Sequence, residues 1–312
     1  KIKQRTFSSI VSPNNEKNSL DGNLGPWLAG LIEADGSFAI HDENSKAKKY
    51  SPKIIIVFSL NDLPLAEKLA YITQAGKIYK RENQGCVLWS IQNSEGVIKI
   101  INIINGYMRT PKLEGLHRAI AWYNENHNTN IKPLGLDISP IESNSWLAGF
   151  TENHSSFIIS MPNYNRTSFF NYKFKINLVI TDIEKKEWYG LVYFSLFSKI
   201  SEYLKTSFIT KNVNNKKYTF IVFASLPQSL SRLIQYYNDY NLLGKASLDF
   251  ANWCENLGNK YSKREGKFKE IENLNIQLQN RQKMLGLKTL NYLSQKRNFS
   301  TSYVFTQQKK KS

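Results

Sequence analysis

The feature that most constrains this 312-residue chain is a unit written twice. Pro26-Trp27-Leu28-Ala29-Gly30-Leu31-Ile32-Glu33-Ala34-Asp35-Gly36-Ser37-Phe38 returns as Ser145-Trp146-Leu147-Ala148-Gly149-Phe150-Thr151-Glu152-Asn153-His154-Ser155-Ser156-Phe157, with Trp146 standing 119 residues after Trp27. Such a repeat calls for two similar folding units. Gly25-Pro26 before the first copy and Ser143, Asn144 and Ser145 before the second predict helix starts, with proline opening the first and side-chain oxygens capping the second. Gly30 and Ala34 sit four residues apart and stack on one helix face, as do Gly149 and Asn153, so another backbone can approach closely. The helices are expected to end at Gly36 and Ser155. Extended runs follow, Ser37 to Ile40 and Ser156 to Met161, which places the acid at each helix end near the centre of the molecule.

The segments after each copy also match. Lys53 to Leu60 and Lys173 to Ile180 read as strands, each closing on an aspartate, Asp62 or Asp182, expected to cap a following helix at Leu63 to Ile72 or Ile183 to Leu191. Gly76 to Lys80 with Val87 to Gln92, and Ser207 to Lys211 with Lys217 to Phe223, read as hairpins. A last helix runs from Pro111 to Asn124 in the first half and from Lys245 to Asn256 in the second. The fold class is therefore α+β, two αββαββα domains each with its own antiparallel sheet. The domains are expected at 23–125 and 143–260, joined by a Pro- and Asn-containing linker at 126–142. An extension covers 1–22, and a basic tail, part helical and then disordered, covers 261–312.

Composition narrows the partner. Lys and Arg number 42 against 25 Asp and Glu, a formal charge of +17, which points to a polyanion. The longest apolar run, Ile54 to Leu60, falls well short of the ~18 residues a membrane span needs, so a soluble protein is expected. Cys86 and Cys254 form no CxxC or Cys/His cluster, and His41, His117 and His127 have no ligand-like spacing; neither a disulfide framework nor zinc is indicated. The chain starts at Lys1 without a leader pattern, which reads as a processed piece or a frame fused to upstream sequence. Abundant Lys, Asn, Ile, Tyr and Phe suggest A/T-rich codons, as in an organellar genome.

Leu28-Ala29-Gly30-Leu31-Ile32-Glu33-Ala34-Asp35-Gly36, with its degenerate second copy, resembles the LAGLIDADG family of intron-encoded homing endonucleases and RNA maturases, over most of Trp27 to Asn256. The resemblance implies a monomer with a pseudo-twofold axis. Its motif helices would pack together at the domain interface, and its two saddle-shaped sheets would lie in the major groove of a long double-stranded DNA target. It also implies Mg²⁺ bound by the last motif acid, here Asp35, with the Ala34 backbone carbonyl, and a mitochondrial matrix location for a protein encoded in an organellar intron. Glu33 and Glu152 are further catalytic candidates beside Asp35.

His154 occupies the second-half position of Asp35. A neutral imidazole removes a negative charge where Mg²⁺ prefers oxygen, so a degenerate second site is expected, with nicking or weakened cleavage. The alternative is a cleavage-inactive maturase that binds its group I intron RNA to assist splicing. The nucleic-acid-binding candidates are Lys46, Lys48, Lys49 and Lys53 around the first strand pair and Arg166, Lys173 and Lys175 around the second. Arg81, Lys211 and Lys217 are expected at hairpin tips. In Lys173-Phe174-Lys175-Ile176 the alternation puts the lysines on one face and the apolar residues on the core face.

Overall fold

The computed structural model describes residues 20–41, 50–160, 171–180, 187–213 and 217–261. In the first half, helix α1 (Leu20–Asp35) passes directly into strand β1 (Gly36–Ala39). It is followed by β2 (Lys53–Ser59), α2 (Leu63–Thr73), β3 (Lys77–Arg81), β4 (Cys86–Ile91), α3 (Ser94–Ile104) and α4 (Leu113–His127). The second half repeats the order with α5 (Trp146–Thr151), β5 (Ser155–Ser160), β6 (Asn171–Ile180), α6 (Glu187–Tyr203), β7 (Ser207–Val213), β8 (Lys217–Ala224), α7 (Pro227–Asp239) and α8 (Lys245–Tyr261). Each half forms one four-stranded antiparallel sheet, ordered β1-β2-β4-β3 and β5-β6-β8-β7.

The strands form by alternation. Ile54, Ile56 and Phe58 on β2, and Tyr172, Phe174 and Ile176 on β6, are buried against helices, while the residues between them face out. One continuous apolar core runs through both halves, which are joined by the packing of α1 on α5.

Several expectations are corrected. Each half contains one more helix than αββαββα: α3 and α7 follow the second hairpin strand. Pro26 lies inside α1, which begins upstream at Leu20, rather than opening the helix. The second motif helix stops at Thr151, short of Ser155. Asp62 makes no side-chain cap on α2; its Oδ2 accepts from the Ser59 hydroxyl at 2.7 Å and its Oδ1 from the Lys245 amide at 2.7 Å, across the two halves. Trp122 is only half-buried, whereas Trp27, Trp146 and Trp253 are core. Asp182, Lys46, Lys48, Lys49, Arg166 and the tail beyond Tyr261 lie outside the described residues.

The halves meet at α1 and α5. A Cβ on Gly30 would sit 2.1 Å from the Trp146 carbonyl oxygen, and one on Gly149 would sit 1.8 Å from the Trp27 carbonyl oxygen. Backbone therefore touches backbone, and both positions demand glycine despite its helix cost of about 1 kcal/mol each. Gly149→Ala is expected to destabilise the protein by several kcal/mol, since neither partner atom belongs to a side chain that can move aside. Gly135→Ala, with nothing within 4 Å of the new methyl, is expected to shift stability by no more than about 0.5 kcal/mol. Urea unfolding of the two variants beside the parent checks the contrast.

Candidate functional site

The helix contact brings the ends of both motifs together. Asp35 closes α1, and its carboxylate receives two groups from the turn after α5. Asn153 Nδ2 donates to Oδ2 at 3.0 Å, and His154 Nε2 lies 3.1 Å from Oδ1. The latter is an ion-pair distance without the geometry of a hydrogen bond. Burial alone would push the imidazole pKa down, but the neighbouring Asp35 carboxylate outweighs it and holds His154 above the ordinary histidine value. The second motif therefore supplies a cation-forming partner to the first motif's acid.

A lysine that sequence reasoning missed sits beside this pair. Lys112 Nζ reaches the carbonyls of Ile32 and Ala34 at 3.3 Å each and of Gly36 at 2.8 Å. It satisfies the open carbonyl end of α1 with a charge of the sign the helix dipole favours there. The only sequence signal was a lysine near the start of the last helix of each half, Lys112 and Lys245. In the second half Lys245 pairs instead with Asp249 on α8.

Glu33 and Glu152 do not point at the Asp35–His154 pair. Glu33 accepts from the Arg109 amide at 2.8 and 3.0 Å, from the Thr110 amide at 2.5 Å and from the Trp146 indole at 2.6 Å. Glu152 accepts from the amides of Leu243 at 3.0 Å and Gly244 at 2.6 Å. Each acid thus clamps the loop that leads into the last helix of its own half. Burial raises both carboxyl pKa values, Glu152 to about 7, in opposition to the amide bonds that favour the charged form. Arg109 extends the first clamp: its guanidinium bonds Asp137 Oδ2 at 2.7 Å and the Ser139 carbonyl at 2.9 Å, and lies over the Trp146 ring.

The oxygen donors decide whether a hard divalent cation fits. Asp35 keeps lone pairs beyond its two contacts, and the Ala34 carbonyl keeps one beside Lys112, so one cation has two protein donors here. A second finds an imidazole where it needs a carboxylate. Among the described residues no group of three or more His, Cys, Asp or Glu forms a ready cage.

The described basic candidates fall on strand faces turned away from the core or at strand ends. Lys53 and Lys175 are half-buried on β2 and β6, with Lys53 over the Tyr50 ring and Lys175 over the Phe223 ring. Lys173, Arg81 and Lys211 are exposed, and Lys217 opens β8. No described helix is long and apolar enough to cross a membrane.

Comparison with known proteins follows the same division into halves. A model of the LAGLIDADG endonuclease family matches residues 28–123 and 147–257. The "Intron-encoded DNA endonuclease aI3" of Saccharomyces cerevisiae is 36% identical over 259 residues, covering 74% of this chain and 62% of that protein. The chain thus spans less than two thirds of that relative's length. An "Uncharacterized cox1 intron-2 37.2 kDa protein" of Schizosaccharomyces pombe is 26% identical over 249 residues, 78% of this chain and 68% of that one. Among solved structures, the LAGLIDADG homing endonuclease I-GzeII in complex with its DNA target superposes with a TM-score of 0.56 at 18% identity, covering 80% of this chain and 96% of that one. That likeness shows the two-sheet fold.

The Glu152 carboxyl, raised from 4.5 to about 7 in the folded state, carries a pH signature. A folded-state pKa above the unfolded one gives stability that is fully present below the unfolded value and lost as pH rises through the folded one. Melting temperatures taken from pH 5 to pH 8 are expected to fall, and the fall is expected to be shallower in Glu152→Gln. Identical slopes in the two proteins would mean that this carboxyl is not held neutral by burial.

Proposed function

Because this chain belongs to the LAGLIDADG endonuclease family, we propose that it binds a long DNA duplex with both sheets and cuts at most one strand, at Asp35. The observation that carries this reading is the Asp35–His154 contact at 3.1 Å: the two motif ends meet, as a shared cleavage centre requires, but only one brings a carboxylate. Asp35 with the Ala34 carbonyl would hold one divalent cation, of which Mg²⁺ is the natural choice for oxygen donors. When bound, such a cation lowers the pKa of its water and offsets charge on a leaving oxygen.

The chain's own residues have separable roles in this reading. Lys112 fixes the carbonyl end of α1 and so the direction of Asp35. Glu33 and Glu152 are positioning residues that hold the loops before α4 and α8, not groups that touch the phosphate. His154 and Asn153 orient Asp35 from the second half and leave that half without its own acid. Lys53, Lys173, Lys175, Arg81, Lys211 and Lys217 meet phosphates along the two sheets, a contact set that fits the +17 charge. Both halves lie in one chain, so a monomer suffices. Intron-encoded relatives, one of them named for a cox1 intron, support a mitochondrial setting. DNA is favoured over a folded intron RNA because a sheet enters the wide major groove of B-DNA but not the deep, narrow one of an A-form helix.

The test uses a plasmid carrying a duplex that the full chain has selected from a randomised library, incubated with Mg²⁺. Nicked circle is the expected product, and Asp35→Asn is expected to abolish nicking while binding persists. Linear product would overturn the one-strand reading. Retained binding with no nick at all would remove the hydrolytic part of it.

A further inference from the structure

The outward faces of the two sheets are not uniformly polar. Val57 and Tyr79 in the first sheet are 44% and 46% exposed, and Ile209 and Val179 in the second are 47% and 51%. The strand registers align them. Leu88 on β4 pairs with Val57 on one side and Tyr79 on the other, making an apolar row across three strands. In the second sheet Ile221 on β8 pairs with Asn177 and with Ile209 in the equivalent row, where Ile221 is itself 7% exposed and Ile209 is the apolar side chain open to solvent. Alternation fixes the side: Ile56 and Phe58, the neighbours of Val57, are buried in the core, so Val57 faces away from it.

Water is a poor solvent for the exposed members of these rows, and the charges beside them bear on what would meet them. On the same faces, two residues along the strand from the row, stand Lys77 and Arg81 in the first sheet and Lys175 and Lys211 in the second. A protein partner for an apolar centre would be flanked by fewer lysines. A polyanion with an apolar group inside its groove fits both features. In the major groove of DNA the apolar group displayed on a base edge is the thymine 5-methyl.

We infer that the central rows of the two sheets, built around Val57, Leu88 and Tyr79 and around Ile209, read thymine 5-methyl groups, so that the target carries thymines beside the cleavage centre. The inference rests on the DNA-binding reading above and gives it a base chemistry. The rows lie beside the ends of the motif helices, since Gly36 pairs with Ile56, next to Val57, and Ser155 with Ile176, next to Asn177. The lysines and arginine hold the phosphates on either side while the row meets base edges. Asn177 completes the second row with the side chain suited to adenine N6 and N7, the partner of thymine. RNA offers no such contact, because uracil lacks the methyl.

The experiment starts from duplexes enriched by the full chain from a randomised DNA pool. The enriched pool is amplified once with thymidine and once with deoxyuridine triphosphate, which removes the methyl and nothing else, and a transcribed RNA pool is run in parallel. The uracil pool is expected to bind more weakly by about fourfold for each methyl that is buried in the complex. Val57→Ser and Ile209→Ser, at exposed positions, are expected to narrow the gap between the two pools, whereas Lys173→Ala is expected to weaken both equally. Equal binding of the two DNA pools, or a gap unchanged by the serine variants, would overturn the methyl readout while leaving DNA binding intact. Failure to enrich any duplex, or preferred binding of the RNA pool, would overturn the DNA reading and this inference with it.

Discussion

Everything in this molecule is placed by the contact of α1 with α5 through Gly30 and Gly149. Helices packed through ordinary side chains keep their axes ~8–10 Å apart. Here a methyl group at either glycine would fall within 2.1 Å of a carbonyl oxygen of the facing helix. That closeness puts the ends of the two motifs within hydrogen-bonding range, so that Asp35 meets Asn153 and His154. It also fixes where each sheet begins, because β1 leaves directly from the end of α1 and β5 follows α5 after the short turn at 152–154. The spacing of the two open faces, and the position of any groove they share, follows from two residues with no side chain.

A second layer of buried carboxylates holds the surrounding loops to that axis. Glu33 collects three backbone or indole donors and Glu152 two, while Asp62 reaches from the first half to the start of α8 in the second. Buried acids are costly unless they are hydrogen-bonded, and here the bonds fasten loops that would otherwise bury unpaired amides. The inner acid of each motif, Glu33 or Glu152, fastens a loop, while the outer position holds Asp35 in the first half and His154 in the second. The clamps are not symmetric. Glu33 also takes the Trp146 indole of the other half, whereas the equivalent Trp27 indole has no acceptor among the described residues.

The duplication, the strand alternation and the glycine contact were legible in the sequence because each is local: a nine-residue match, a period of two, a spacing of four. The helices α3 and α7 escaped for different reasons. Ser94–Ile104 is crowded with isoleucine, which weakens a helical reading by propensity. Pro227–Asp239 carried both a proline start and helical apolar spacing at Leu230, Leu233, Ile234 and Tyr237, a signal present but not used. The partners of Glu33 and Glu152 lie more than seventy residues away along the chain, and no periodicity reports a bond of that span. The role of Lys112 was hidden for the same reason, since it acts on carbonyls of a helix in another part of the sequence.

The second motif has not simply lost its acid. At the three positions that follow Glu152, the changes to Asn153, His154 and Ser155 add two groups that both engage Asp35. Two carboxylates brought together at this point would repel and would need a cation between them. The Asp35 carboxylate raises the His154 pKa against the opposing effect of burial, so the charge relation between the two side chains is attractive where a second carboxylate would repel. With Asn153 as a neutral second tie to the same acid, the ends of the two motifs are joined by side chains of the protein itself.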